Sequence, residues 1–223
     1  MTDCPICKKP DAVGYVSTNA MMHQINSERY DFDRCTSCEF VFLVNPVEET
    51  NLDGYYTAHY LPYQGSKAWG KYSAFVENSQ KRLDLARVNF VKKWIKDDQL
   101  QLNILDVGCG NPTFLEAVKS QLNADCTGID FSDDGWRNKL THGLTLVKTP
   151  IEAFNTSVQF DIITLWHYLE HDYQVQHTID KLHGLLVTGG KLIIEVPDYQ
   201  SITARRQGGF WQGWHSPRHL SLF

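Results

Sequence analysis

The chain has no excess of positive charge: 21 Lys and Arg stand against 26 Asp and Glu, a formal net charge of −5 over 223 residues. That balance excludes a global attraction to nucleic acid or to an anionic membrane surface. No apolar run reaches the length that spans a bilayer. The first residues, MTDCPICKKP, contain neither the apolar core of a signal peptide nor the Arg-rich pattern of a transit sequence. The expectation is a cytoplasmic protein with no nucleic-acid or membrane partner. There is no internal repeat and no low-complexity tract, which sets aside solenoids and disordered arrays. The dinucleotide fingerprint G-x-G-x-x-G is missing as well, because its third glycine would fall on Thr113. A pyrophosphate cradle, and with it a nicotinamide-dependent dehydrogenase, is disfavoured.

Cysteine, by contrast, is present and patterned. Cys4-Pro5-Ile6-Cys7 and Cys35-Thr36-Ser37-Cys38 form two C-x2-C pairs. Two such knuckles place four thiolates around Zn²⁺ in a closed tetrahedron, so the metal at Cys4, Cys7, Cys35 and Cys38 is read as structural. A module of about this size gains from the ion the folding energy that its own small core lacks. Cys109 and Cys126 read as small buried fillers.

The zinc-ribbon-like module is expected over 1–46 and a Tyr-rich lid segment with one long amphipathic helix over 47–100. In that helix Phe75, Val76, Leu83, Ala86, Phe90, Val91, Trp94 and Ile95 recur at helical spacing. From 101 to 200 short apolar runs alternate with helical stretches: strands near 102–107, 126–130, 144–148, 160–165 and 190–196, helices near 113–122, 133–140 and 174–187. Such alternation predicts an α/β fold, a Rossmann-like open, mostly parallel sheet with helices on both faces. Residues 201–223 are expected to form a C-terminal segment on the substrate side, cut short at its end.

Within this pattern "LDVGCG" at 105–110 ends a strand and opens a helix, so a glycine turn stands where backbone can approach a ligand closely. The next strand ends in Gly128-Ile129-Asp130, placing a carboxylate where it can bind ribose hydroxyls. Pro112 falls in the first turn of the following helix, where its missing N–H costs nothing.

With these segments in view the chain resembles a class I S-adenosylmethionine (SAM)-dependent methyltransferase carrying an amino-terminal zinc-ribbon-like module. The resemblance implies that Asp106, Gly108 and Gly110 line the methionine end of SAM and that Asp130 binds its ribose. It places Ile151 and Glu152 of "TPIEAF" beside the adenine and brings Trp166 of "FDIITLWHYLEH" to the cofactor. "LLVTGGKLIIEVPD" at 185–198 matches the helix leading into the fifth strand. Pro112 departs from the family's usual glycine. The sheet's final antiparallel strands have no counterpart in the residues after Val196, which leaves "KLIIEV" as an edge that a partner, a homodimer for example, would cover.

Methyl transfer from a sulfonium is an in-line displacement, so holding the acceptor in attack geometry is the main task. His167 and His171, after the fourth strand, and His215 are candidate catalytic residues, as proton acceptors for a protonated nucleophile. Tyr56, Glu170, Trp214, Arg218 and His219 are candidate substrate contacts. The expected acceptor is a small molecule, a sugar, nucleotide-sugar or biosynthetic intermediate, methylated on oxygen in preference to carbon or nitrogen. The competing reading is a zinc-ribbon interaction protein whose methyltransferase domain is non-catalytic.

Overall fold

The computed structural model describes residues 3–21, 24–55, 65–95, 101–141 and 143–223. In chain order its elements are β1 (Ala12–Met21), β2 (Gln24–Cys35), β3 (Val41–Leu43), α1 (Ser73–Lys92), β4 (Leu102–Val107), α2 (Thr113–Gln121), β5 (Ala124–Asp130), β6 (Leu144–Lys148), β7 (Phe160–Trp166), α3 (Val175–Leu185), β8 (Leu186–Glu195), α4 (Ile202–Gln207) and β9 (Ser221–Leu222). They divide into two compact units.

The first unit, Tyr56–Trp166 with Thr178–Ile194, holds a parallel five-stranded sheet in the order β6-β5-β4-β7-β8. Runs such as Ile104-Leu105 and Ile162-Ile163 are apolar on both faces because both faces are covered. β4 pairs in register with β5 and β7, Val107 opposite Ile129 and Leu165. Strand order reverses between β4 and β7, and ligands of open α/β sheets bind at the carboxyl ends beside such a reversal. Leu115 and Val118 of α2 pack with Val88 and Val91 of α1 in the core that carries this edge.

Two expectations for this unit need correction. α1 buries Asp84, Val88 and Val91, while Phe75, Leu83, Phe90 and Trp94 are exposed. The inward stripe follows the i, i+4, i+7 spacing of 84, 88 and 91, and Asp84 is tolerated there because Gln80 donates to its carboxylate at 2.9 Å. The helix expected near 133–140 is a set of tight turns, with Trp136 N and Arg137 N both donating to Asp133 O. Gly135 sits so close to the glycine turn that a Cβ there would lie 2.1 Å from Gly110 O.

The second unit joins Met1–Tyr55, His167–His177 and Glu195–Phe223. Its sheet is antiparallel, in the order β1-β2-β3-β9. Alternation in β2 turns Tyr30 and Phe32 inward and leaves Asp31 and Asp33 less buried. The 1–46 stretch and the C-terminal 201–223 stretch thus share one sheet, for Val41 pairs with Leu222 and Phe42 with Ser221. Phe32, Val41, Leu43, Tyr199, Trp214, Leu220 and Leu222 form its core. Among the described residues no strand lies beyond β8, and no helix is long and apolar enough to cross a membrane.

Candidate functional site

The two cysteine pairs fold as copies of one knuckle. Cys4 N donates to Lys9 O and Lys8 N to Cys4 O; Cys35 N donates to Phe40 O and Glu39 N to Cys35 O. Lys8 and Glu39, each four residues after the first cysteine, take left-handed φ values of 61° and 65°. The Sγ atoms of Cys4 and Cys38 are 3.6 Å apart, those of Cys7 and Cys35 3.5 Å, and all four lie within 4.8 Å of one another. A disulfide needs about 2.05 Å. A zinc tetrahedron with Zn–S bonds of about 2.3 Å has edges of about 3.8 Å, which these sulfurs nearly match. The thiols divide the proton load: burial pushes Cys38 up to about 12, while for Cys35 backbone N–H groups of Cys38 and Ser37 and the neighbouring thiols outweigh burial and bring it down to about 7. The donor set therefore fits Zn²⁺.

At the carboxyl edge of the parallel sheet, Gly108 and Gly110 take φ values of 71° and 48°, open to glycine and strained for other residues. Gly108 N and Cys109 N both bond Ile129 O, at 2.9 and 3.0 Å, which ties the turn to β5. Asp130 is fixed at its tip: Oδ2 accepts from Gly110 N at 2.9 Å and Oδ1 from Ser132 N at 3.0 Å. A carboxylate has about four lone-pair positions, so capacity for a ribose hydroxyl remains beside these backbone donors. Burial raises Asp130 to about 6, and it stays ionised at neutral pH. Asp106 is buried, accepts from Thr164 Oγ1 at 2.6 Å, and is pushed up by burial to about 7. A cationic ligand, such as the ammonium end of SAM, would draw it into the charged form.

Pro112 stands just before α2, and its carbonyl accepts from Glu116 N, so the helix starts undisturbed. Ile151 is buried in a short 3-10 turn, whereas Glu152 is exposed and its carbonyl accepts from Lys181 Nζ. Trp166, at the end of β7, packs edge-on against Phe114, and its Nε1 is buried with no hydrogen-bond partner among the described residues. Cys109 and Cys126 are buried and their thiols are raised by that burial, Cys126 to about 11. They are fillers.

Arg87 was not among the sequence candidates. Its guanidinium lies 4.6 Å over the Trp166 ring, and its charge favours the ionised forms of Asp84 and Asp106. It is the kind of cation that a ligand carboxylate would meet beside this turn. One Arg in a Lys/Arg-dotted helix gives no sequence signal; only the helix rotation that buries Asp84 singles it out.

In the antiparallel-sheet unit, His167 takes a left-handed φ of 56° and is held between two carboxylates: Nδ1 is 3.2 Å from Glu170 Oε1 and Nε2 3.1 Å from Glu195 Oε1. Glu170 first, then Glu195, raise it to about 9. At neutral pH it therefore already holds a proton. Burial instead lowers His171 and, further, His219, so both are neutral imidazoles. Their rings are 4.6 Å apart, with the His215 ring 4.9 Å from His219. Arg218 donates through Nε and Nη2 to Tyr55 O and through Nη1 to His215 Nε2. Trp214 lies in the core, its Nε1 donating to Gly208 O at 2.8 Å. Of the expected substrate contacts the structure thus brings Glu170 and His219 together with His171, commits Arg218 and Trp214 to internal bonds, and leaves Tyr56 outside the described residues.

The methyltransferase domain family matches residues 71–223. Two ubiquinone biosynthesis O-methyltransferases are similar in sequence. The one from Psychrobacter arcticus is 25% identical over 67% of this chain and 66% of its own length, and the one from Psychrobacter cryohalolentis 26% over 56% and 57%. The similarity therefore spans less than two thirds of those relatives. Among solved structures, the plantazolicin methyltransferase BpumL in complex with S-adenosylhomocysteine (SAH) is 20% identical over 74% of this chain and 69% of that chain, with a TM-score of 0.49.

Proposed function

The chain belongs to the methyltransferase domain family, and from that premise we propose that it transfers the methyl group of SAM to a small-molecule acceptor, on oxygen in preference to nitrogen or carbon. The observation that carries the reading is the Asp130 carboxylate, pinned by Gly110 N and Ser132 N beside a left-handed glycine turn. This arrangement suits a nucleoside with no phosphates, because the turn lacks a third glycine and the carboxylate would repel a pyrophosphate. Asp106 and Arg87 supply the opposite charges that an amino-acid tail requires. The buried Nε1 of Trp166 offers an unused donor in the same unit.

When bound, SAM supplies an activated methyl group. Asp130 would hold the ribose, Asp106 the ammonium and Arg87 the carboxylate, with Ile151 and Glu152 flanking the base. The preference for oxygen rests on the names of the two curated relatives. His167 stays protonated and serves as a fixed positive charge; His171 and His219, being neutral, are the groups able to take up a proton or a cation. Cys4, Cys7, Cys35 and Cys38 hold Zn²⁺ as a structural ion.

Calorimetric titration of SAM and SAH into the purified protein tests the reading, with Asp130→Ala as control. Micromolar binding is expected, weakened about 100-fold in the variant, in keeping with the loss of charge-assisted hydrogen bonds of about 1.5–3 kcal/mol. Folded, zinc-loaded protein that binds neither ligand would overturn it and favour a zinc-module interaction protein.

A further inference from the structure

The antiparallel-sheet unit holds a second group of ligand-type side chains, with no cysteine in it. One ring nitrogen each from His171 and His219 and one carboxylate oxygen of Glu170 lie within 4.8 Å of one another. The chemistry of the three is one-sided. His171 Nδ1 is 3.0 Å from Arg218 O, and His219 Nδ1 is 2.8 Å from Gly213 O. A carbonyl oxygen only accepts, so in the neutral rings each Nδ1 carries the proton and each Nε2 the lone pair. Glu170 is fully buried; its Oε1 meets His167, but Oε2 is enclosed with no hydrogen-bond partner among the described residues. The His167 imidazolium offsets the charge on the Oε1 side, but a buried oxygen left without a partner on the other side is costly unless a cation or a donor joins it.

We propose that Glu170, His171 and His219 bind one divalent transition-metal ion, zinc being the first choice, through two imidazole nitrogens and one carboxylate oxygen. Imidazoles that ligate metals characteristically donate their other N–H to a carbonyl or carboxylate, which fixes tautomer and ring orientation; both rings here do so. A set of two nitrogens and one oxygen suits zinc, cobalt or manganese better than calcium or magnesium, which favour oxygen alone. His215 is not a ligand, because its Nε2 accepts from Arg218 Nη1 at 2.7 Å.

The backbone holds the three residues together. Leu220 N donates to Glu170 O at 2.7 Å, and His219 N and Arg218 N both bond His215 O. Three protein ligands leave a coordination position for an outside oxygen, as in catalytic and not in structural zinc sites. A hydroxyl bound there would release its proton to solvent more readily as the oxygen–metal bond forms. That consequence rests on the methyltransferase reading; the ion binding does not, and is tested apart from it.

The test is a Co²⁺ titration of wild-type protein loaded with one equivalent of Zn²⁺, which the four thiolates take up first and which leaves the three-residue site open. Uptake of one further ion is expected, with visible bands that lack sulfur-to-cobalt charge transfer. Pulsed electron paramagnetic resonance of the Cu²⁺ form should then show couplings from two imidazoles. No uptake beyond the thiolate site overturns the proposal, and so do couplings from fewer than two imidazoles. In His219→Gln the affinity should fall by more than about 100-fold, since even outer-shell changes cost up to that much. Unchanged uptake by the folded variant also overturns it; if the variant does not fold, the wild-type spectra decide. SAH titration run in parallel separates failure of the ion site from failure of the cofactor reading.

Discussion

The two units solve the same problem, fixing polar groups beside a core, in opposite ways. In the parallel-sheet unit β4 pairs with β5 one helix later and β5 with β6 after a 13-residue connection, and its widest closure, Ile104 of β4 with Ile162 of β7, spans 58 residues. The antiparallel sheet closes over long separations: Val41 pairs with Leu222, Leu43 N donates to Leu220 O, and Cys4 meets Cys38. Local pairing costs little loop-closure entropy, whereas distant pairing must be repaid by strong contacts at the closure points. The titratable groups divide likewise. Burial raises the carboxyls of Asp106 and Asp130 in one unit; in the other, burial keeps His171 and His219 neutral while two carboxylates keep His167 charged. A sheet assembled from distant segments needs clamps, and the four cysteines stand where β1, β2 and the first knuckle meet.

The largest effect should come from removing that clamp. Cys35→Ser takes away a buried sulfur from a site where bound zinc would contribute on the order of 10 kcal/mol to folding. Amides of β1, β2 and β3 should then exchange with solvent at rates near those of unfolded chain, while β4, β5 and β7 keep their protection, read by hydrogen-exchange mass spectrometry. Equal loss of protection in both sheets would show that the units fold as one. Next in size is Leu222→Ala, which empties a fully buried position at the strand that closes the second sheet. Urea denaturation should show a loss of about 3 kcal/mol. A loss under about 1 kcal/mol would mean that β9 contributes little to the closure.

This contrast also explains how far the sequence could be read. β4, β5, β6 and β7 fall within a residue or two of their expected bounds, because each announces itself by a local apolar run, closed by Gly108 after β4 and by Gly128-Ile129-Asp130 in β5. The glycine turn, Asp106 and Asp130 were legible for the same reason: strand, turn and helix are consecutive. The cysteine spacing declared the knuckles. The pairing of residues near 41 with residues near 222 left no local trace, since a two-residue strand has no periodicity to detect. α1 misled because its apolar residues form two stripes, and packing chose the one that contains Asp84. The protonation states of His167, His171 and His219 depend on Glu195, Arg218 O and Gly213 O, partners that only the fold supplies.

A smaller effect separates the units by pH. Asp106 has a folded value of about 7 against an ordinary 3.8, so between those limits the native state binds more protons than the unfolded chain. Stability of the parallel-sheet unit should fall as pH rises from about 4 to about 7 and stay level above that. Asp106→Asn removes the titration and keeps a polar group for Thr164. Thermal denaturation at pH 8 should find the variant more stable than wild type by on the order of 2 kcal/mol, with the advantage gone near pH 4. The same variant should bind SAH more weakly. If it is no more stable at pH 8, the buried carboxyl is not destabilising and the site is better solvated than its burial implies.

The smallest effect belongs to His167 and runs over a different pH window. Its folded value, about 9, exceeds the ordinary 6.5 because Glu170 and Glu195 stabilise the imidazolium. For a base whose folded value is raised, the added stability is complete below about 6.5 and lost as pH climbs through about 9. The side chain is 51% exposed, so solvent screening reduces the gain to below about 1 kcal/mol. Wild type should thus lose slightly more stability than His167→Gln between pH 6 and pH 9.5, confined to the antiparallel-sheet unit. An NMR titration of the His167 ring gives the sharper reading. A midpoint well above 6.5 keeps His167 as a fixed cation and leaves proton or metal chemistry to His171 and His219. A midpoint at or below 6.5 would make His167 a neutral imidazole at physiological pH, return it to the set of proton acceptors, and erase the division of labour among the three histidines.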